Sequence, residues 1–531
     1  MDEKNTLTVR RGKHRRCPCM ESIVKWLLLV AIIVLSVTIA FILNQKYEDN
    51  TAERLIRPLS VDINDDKTNW NNYPTTHIDL SESLNITESG TFYLTGALED
   101  GMIVVDNPGG STKLVLDNVV LRNNSGPVIL GRNVKDFVIE IVGENSLVDG
   151  QEYSEELDSE AKGVVSSDSN LTFQGEGTLN ITANYQDAIV SKDNLKILSG
   201  TYVIDSVDDG IRGNDSVQIK NGNFIINSVA DAIKATNSTD VGMGYILIEG
   251  GNFSIKGTAK GFDSHGSTII RGGDHSIETF GDAIHSEDNI GITNASINIS
   301  SGDDAIHARH ELVIDSGNIN VVKSLEGLEA QTITINGGNL NISSLDDGIN
   351  TAIHDEEPRS ISYIDVTSQS NSVTINDGNI YINAEGDGID SNEWIFINGG
   401  STIVDGPTDG KNGAIDATMG VIMNGGRAFA VGDSGMAGTL GNTSSIYNVS
   451  IYLDSVYPKD TRIKIQNEAG DVVFEHVSAK SFNHIAAGSP DFNLGGTYQL
   501  FLDEVEYRDF VVFGNTTKIS STAEKSTILN R

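Results

Sequence analysis

From about Lys162 to Met419 the chain alternates short runs, in which every second residue is Ile, Val, Leu or Phe, with corners rich in Gly, Asp, Asn and Ser. One phrase keeps returning: DAIVSKD from Asp187, DGIRGND from Asp209, DAIKATN from Asp231, DAIHSED from Asp282, DAIHARH from Asp304, EGLEAQT from Glu326, DGINTAI from Asp347 and DGIDSNE from Asp387. Degenerate copies are KGVVSSD from Lys162, KGFDSHG from Lys260 and GAIDATM from Gly413. After each phrase come two further alternating runs with a glycine between them, as in Val217, Ile219, Gly222, Phe224 and Ile226, or Leu312, Ile314, Gly317, Ile319 and Val321, or Ile333, Ile335, Gly338, Leu340 and Ile342. Period-two alternation over so few residues predicts strands, and the glycine marks the bend between them. Each unit therefore predicts three short strands.

A unit of about 22 residues cannot bury its apolar side alone, whereas stacked units bring each inward Ile, Val or Leu onto its equivalent in the next. The expected fold is all-β: a right-handed parallel β-helix of about eleven 22-residue coils. At about 4.8 Å per coil it makes a rod roughly 50 Å long. Leucine-rich and propeller folds are excluded, since no unit holds a helical stretch or a repeated Trp-Asp or Leu-rich consensus. The β-helix is expected over residues 78–445, with 78–150 as strands that cap or begin it, and a small antiparallel β domain over 446–531. Insertions near Asn237 to Gly244 and Ala352 to Asn371 follow the same strand of their coils and are expected on one edge, as the lip of a face or as tolerated loops.

The N-terminal segment is of another kind. Residues 23–43 are apolar apart from Lys25, Ser36 and Thr38, long enough for the roughly 20 residues a bilayer crossing needs. The basic tail of residues 1–22 precedes this run, and residues 44–77 link it to the β-helix. The positive-inside bias then predicts a single-pass signal anchor in the cell membrane with the C-terminal domain extracellular. A cleaved leader is the competing reading, but FILNQKYEDN offers no small-x-small cleavage site. Cys17 and Cys19 are the only cysteines, so the exported part carries no disulfide.

Composition sharpens this picture. With 54 Gly, 9 Pro and 6% aromatics the chain is unlike an ordinary mixed α/β enzyme. Residues 1–46 carry 8 basic and 3 acidic side chains, leaving 29 and 71 of the 37 and 74, or −42, for the rest. No nucleic-acid partner is expected for so acidic a domain. An anionic partner would need bridging cations.

In a parallel β-helix equivalent residues stack about 4.8 Å apart, so the repeat writes columns of side chains. One column contains Asp187, Asp209, Asp231, Asp282, Asp304, Glu326, Asp347 and Asp387. Three residues further on, a second contains Val190, Arg212, Lys234, Asp263, His285, His307, Glu329, Asn350, Asp390 and Asp416. Its polar members, Arg212, Lys234, Asp263, His285, His307 and Glu329 among them, are expected to contact a ligand. The acids have two readings. Asp at a corner accepts backbone N–H bonds and needs no ligand. Yet stacked carboxylates repel unless a cation intervenes, and calcium takes 6 to 8 oxygens. The candidate calcium sets are Asp387, Asp390 and Asp416 with Asp347; Asp282, Asp303, Asp304 and Glu326; and Asp187, Asp208, Asp209 and Asp231. His285 and His307 together suit a transition metal, although stacked exposed histidines more often bond to neighbouring Asp or water.

These D-[GA]-[IVL] coils, the lead-in GTFYLTGALEDGMIVVD and LVLDNVVLRNNSGPVIL, and the tail SPDFNLGGTYQLF resemble the bacterial carbohydrate-binding β-helix proteins related to calcium-dependent pectate lyases, over roughly residues 78 to 503. The resemblance implies a right-handed β-helix, bound calcium and affinity for acidic polysaccharide such as polygalacturonate, generally without proven catalysis. In the related lyases the calcium ligands resemble D-D-x-x-D, with an acid one coil earlier and a Lys one or two coils later. Here Gly386 fills the first position before DGID, while DDGIR, DDAIH and DDGIN lack the last acid.

Three functions follow from this reading. The first is calcium-mediated binding of acidic polysaccharide without turnover. The second is a pectate-lyase-like enzyme, for which calcium acidifies a proton α to a uronate carboxyl and Arg212 or Lys234 acts as base. The third is a structural cell-surface adhesin rod with no sugar affinity.

Overall fold

The computed structural model describes residues 63, 67–154, 162–352 and 371–521. The expected membrane segment 23–43 lies outside these residues, and among the described residues no helix is long and apolar enough to cross a membrane. The rest is all-β, a parallel solenoid of about 14 turns. Each turn contributes one strand to each of three parallel ladders. The first runs from Leu84–Ile86 to Ile415–Ala417, the second from Thr75–Leu80 to Gly420–Met423, and the third ends at Arg427–Gly432. The count exceeds the expected eleven because strands such as Ile103–Asp106 and Ile129–Arg132 belong to full turns that lack the acidic phrase. Residues 78–150 are thus turns of the solenoid, which begins at Thr75.

Register follows the repeat. Ile189, Ile211, Ile233, Phe262, Ile284, Ile306, Leu328, Ile349, Ile389 and Ile415 pair in succession along the first ladder, and all are buried. In-register stacking also puts rings face to face inside the third ladder. Tyr202, Phe224, Phe253 and His275 succeed one another with centroids 5.1, 4.6 and 4.8 Å apart and planes tilted by 6°, 6° and 12°. These are offset stacks at the strand spacing. At the bend between the second and third ladders the side-chain amides do the same: Asn336 donates to Asp315, Asn376 to Asn336, Asn398 to Asn376 and Asn424 to Asn398, at 2.7 to 2.9 Å. Glycine is required beside this bend. Gly338 has φ +101° and a Cβ there would stand 2.9 Å from the Gly317 carbonyl oxygen of the previous turn.

The described ends of both insertions leave the first ladder at the same place, Asn237–Gly244 between Ile233–Ala235 and Tyr245–Ile248, and the second between Ile349–Thr351 and Val373–Ile375. Most of that second insertion, residues 353–370, lies outside the described residues.

The C-terminal region is antiparallel, as its sequence predicts, and it also closes the solenoid. Phe482–Gly488 pairs antiparallel with Arg427–Gly432, the last strand of the third ladder, and Asn448–Tyr457 and Thr516–Ile519 extend the sheet. An open edge that would otherwise template another chain is covered. A separate antiparallel sheet of four strands runs Val472–Val477, Arg462–Asn467, Thr497–Leu502, Val505–Val511. Asp405, fully buried, ties the two parts: it accepts bonds from Tyr381 at 2.7 Å and the Ala479 amide at 3.1 Å, with His476 Nε2 at 2.8 Å.

Because each turn touches only its neighbours, damage should stay local. Ile284→Ala, which empties a fully buried position between Phe262 and Ile306, is expected to cost about 2–5 kcal/mol. Native-state hydrogen exchange should quicken in Phe262–Ser264 and after Ile306 while Ile415–Ala417 stays protected; uniform loss of protection would refute local coupling.

Candidate functional site

The repeated Asp stands where the chain turns into the first ladder, and one of its oxygens has a structural task. The amide of Asp209 donates to Asp187 Oδ1 at 3.0 Å, that of Asp231 to Asp209 Oδ1 at 3.1 Å, that of Lys260 to Asp231 Oδ1 at 3.0 Å and that of Asp304 to Asp282 Oδ1 at 3.2 Å. Further along, Asp387 N–H donates to Asp347 at 2.6 Å and Gly413 N–H to Asp387. Each acid therefore stitches its corner to the next turn. The corner reading and the cation reading are compatible, because the second carboxylate oxygen remains for other partners.

Three residues on, the second column is continuous. Val190, Arg212, Lys234, Asp263, His285, His307, Glu329, Asn350, Asp390 and Asp416 pair one to the next in strand register. Across the two columns the early turns match opposite charges. Arg212 lies 3.1 Å from Asp187 and 3.9 Å from Asp209. Lys234 lies 2.5 Å from Asp231, 3.4 Å from Asp263 and 4.0 Å from Asp209. At the next turn the signs are exchanged: Lys260 takes the acidic position and Asp263 the other, with Lys260 3.3 Å from Asp263 and 3.7 Å from Asp282. Lys260 was not foreseen as a site residue, although its place in the repeat marks it.

This pairing decides the protonation of Lys234. Burial alone would lower its pKa, but Asp209, Asp231 and Asp263 outweigh burial and raise it above the ordinary lysine value. Lys234 is an ammonium held by three carboxylates, and Arg212 is engaged by two. The carboxylates around Lys234 favour its protonated form, whereas a general base has to give that proton up.

In the middle turns histidines replace Lys and Arg. His285 Nδ1 is 2.7 Å from Asp263 Oδ1. His307 Nδ1 is 3.3 Å from Asp304, 3.9 Å from Glu329 and 4.0 Å from Asp282. Burial opposes ionisation of Asp263, yet its bond to His285 and the charges of Lys260, His285 and Lys234 hold it well below the usual carboxylate range.

Beyond His307 the balance ends. From Glu326 to Asp416 the two columns contain Glu326, Glu329, Asp347, Asn350, Asp387, Asp390 and Asp416 with neither Lys nor Arg. Burial first, and then the surrounding carboxylates, push Glu326 and Asp347 up to about 7 and Asp387 to about 6, and raise Asp390. For Asp387 those neighbours are Asp390, Asp416 and Asp346. Glu326 accepts a bond from Asn350 at 3.0 Å.

Of the three candidate acidic sets, the structure draws together part of each. Oxygens of Asp347, Asp387 and Asp390 lie within 4.8 Å of one another, as do those of Asp187, Asp208 and Asp209, and those of Asp282, Asp303 and Asp304. Asp231 leaves its set for Lys234, Glu326 leaves its set for Asn350, and Asp416 follows Asp390 one turn on. Gly386, where the lyase pattern has an acid, sits against its neighbours: a Cβ there would come within 2.4 Å of the Asp346 and Asp347 carboxylates. Just ahead of the acids, Val207, Val229, Phe280, Leu325 and Leu345 stand exposed, Phe280 by 77% and Val229 by 68%. Sequence reading passed over this apolar line, whose signal was a large apolar residue one or two places before Asp209, Asp231, Asp282, Glu326 and Asp347.

Two outcomes follow. A carboxyl group that holds its proton more tightly folded than unfolded stabilises the fold when protonated. That contribution is complete below the ordinary 3.8 and is lost as pH rises through the raised values of about 6 to 7. In chelator, the melting temperature should therefore fall between pH 5 and 8, and Asp347→Asn, which keeps its acceptor for the Asp387 amide, should flatten the decline. Lys234→Met should cost about 3–5 kcal/mol in denaturant unfolding at neutral pH, because three buried carboxylates lose their cation.

The chain is similar to known carbohydrate-binding proteins. A family model described as carbohydrate-binding domain-containing protein matches residues 81–348, which takes in the ladder as far as Asp347. A carbohydrate-binding domain-containing protein of Acetivibrio thermocellus is 29% identical over 147 residues, 27% of this chain and 51% of that protein, so the chain spans about half the length of this relative. The solved structure of a polysaccharide lyase-like protein from C. thermocellum, a gadolinium derivative, is 27% identical and superposes with a TM-score of 0.38, covering 45% of this chain and 96% of that one. With the family model running over half its length, the chain belongs to the carbohydrate-binding domain-containing proteins.

Proposed function

We propose that the protein is a membrane-anchored extracellular binder that holds an acidic polysaccharide, polygalacturonate-like, through calcium and without turning it over. The observation that carries this reading is the run from Glu326 to Asp416, where the paired columns keep their acids and lose every Lys and Arg. Calcium is a hard cation that takes several carboxylate oxygens, and Asp347, Asp387 and Asp390 bring theirs within 4.8 Å of one another, with Asp416 on the next turn. Burial first, and then the neighbouring carboxylates, raise their proton affinity, and a bound cation would relieve that repulsion. The Asp187 set is a poorer calcium site, since Arg212 already stands 3.1 Å from Asp187, and the Asp282 set has Lys260 at 3.7 Å.

A calcium ion shared between these carboxylates and a uronate would let an acidic domain hold an anionic chain. The exposed apolar line beside the ladder supports the reading, because the C–H faces of pyranose rings pack on such side chains. Binding without turnover is supported by Lys234, which three carboxylates keep protonated. The apolar run 23–43 behind its basic tail supports the anchor and the extracellular placement of the solenoid.

The test is titration of the detergent-solubilised full-length protein with polygalacturonate in calcium and again in EDTA, with the unsaturated-uronate absorbance followed throughout. Binding is expected in calcium, at least tenfold weaker in EDTA, with flat absorbance, and the double variant Asp387→Asn, Asp390→Asn should lose the calcium-dependent part. Rising absorbance that Lys234→Ala abolishes would make the protein a lyase instead. No binding in either buffer would leave a structural rod.

A further inference from the structure

The middle of the ladder differs in chemistry from its acidic end. Strand register sets His285 directly beside His307 on successive turns, with ring centroids 5.2 Å apart and planes at 90°. Donor atoms of Asp282, His285 and His307 lie within 4.8 Å of one another, and so do those of Asp304, His307 and Glu329, so that His307 is common to two converging sets. Asp282 is buried and His285 and His307 are only partly accessible. From these positions we propose that His285, His307 and Asp282, with Asp304 and Glu329 alongside, form a second cation site, selective for a divalent transition metal such as zinc and distinct from any calcium site at Asp347 to Asp416.

Orientation of His285 is the independent observation. Its Nδ1 meets Asp263 Oδ1 at 2.7 Å. A carboxylate accepts, so Nδ1 carries the hydrogen, and Nε2 is the ring nitrogen left for a metal, which binds it in place of any proton there. Metal-bound histidines characteristically give their other ring nitrogen to a carboxylate in this way, which fixes the tautomer and strengthens the ligand. Asp263 in turn is held by Lys260 at 3.3 Å and Lys234 at 3.4 Å, so the orienting carboxylate is itself locked in place.

Donor type sets the selectivity. Two imidazoles with carboxylates suit zinc, cobalt or nickel, whereas calcium wants oxygens alone. Ligands about 2.0–2.1 Å from a tetrahedral zinc stand roughly 3.4 Å from one another. Donors already gathered within 4.8 Å stand close to that spacing. Lys234 and Arg212, two and three turns before His285 in the same column, show the alternative the fold uses: a fixed cation.

The test uses chelator-treated full-length protein titrated with cobalt(II) and followed by visible ligand-field absorption, then challenged with zinc and with calcium. A protein-bound cobalt band displaced by zinc but not by comparable calcium is expected. His285→Gln and His307→Gln, each checked for retained β circular dichroism, should weaken cobalt binding more than a hundredfold. Asp263→Asn, which keeps an acceptor for Nδ1 but removes the charge, should weaken it about 10–100-fold. Asp387→Asn should leave the band unchanged, so the outcome is separate from that of the calcium reading. Absence of a band beyond that of the aquo ion, a band that survives both His variants, or displacement by calcium as readily as by zinc would each overturn the proposal.

Discussion

In-register stacking governs this molecule. A parallel solenoid places every residue about 4.8 Å from its equivalent on the next turn, so whatever a position contains is multiplied along the axis. For Ile on Ile, ring on ring and Asn on Asn the multiplication is favourable: apolar surface is buried continuously, Tyr202, Phe224, Phe253 and His275 stack face to face, and the amides from Asn336 to Asn424 bond in sequence. For Asp on Asp it is unfavourable, and the chemistry of the functional face is the set of answers to that repulsion.

Those answers change along the axis. Most acidic corners bind a backbone N–H of the next turn through one carboxylate oxygen, which is why an acid is tolerated there at all. The second oxygen meets Arg212 or Lys234 in the early turns, Lys260 where the two columns exchange signs, and imidazole at His307. After Glu326 no fixed cation remains in the columns, and burial with mutual repulsion raises the carboxyl groups there. One ladder thus grades from turns with Arg or Lys beside the acids to turns with neither, with His285 and His307 between.

The C-terminal region solves the problem that stacking creates at its end. A solenoid terminates in exposed strand edges, and the antiparallel strand Phe482–Gly488 covers the third ladder by reversing direction. The buried Asp405 cluster fastens this cap to the last turns.

Much of this was legible in the residues themselves, for a physical reason. A repeat of 22 residues converts sequence position into spatial position, so the two columns and their register from Val190 to Asp416 followed from spacing alone. The sequence by itself also determined the strands, their inward faces, the glycines at the bends and the antiparallel character of the C-terminal region, because alternation and turn chemistry are local. It undercounted the turns, since Ile103–Asp106 and Ile129–Arg132 form coils without the acidic phrase and only strand pairing reveals them. Tertiary structure alone decided which acids are answered and which are not. Lys260 bridging Asp263 and Asp282, Lys234 surrounded by three carboxylates, and Asp347, Asp387 and Asp390 left to one another are matters of a few ångströms between side chains on different turns. Coulomb energy depends on those distances and on burial, which a column of letters does not contain.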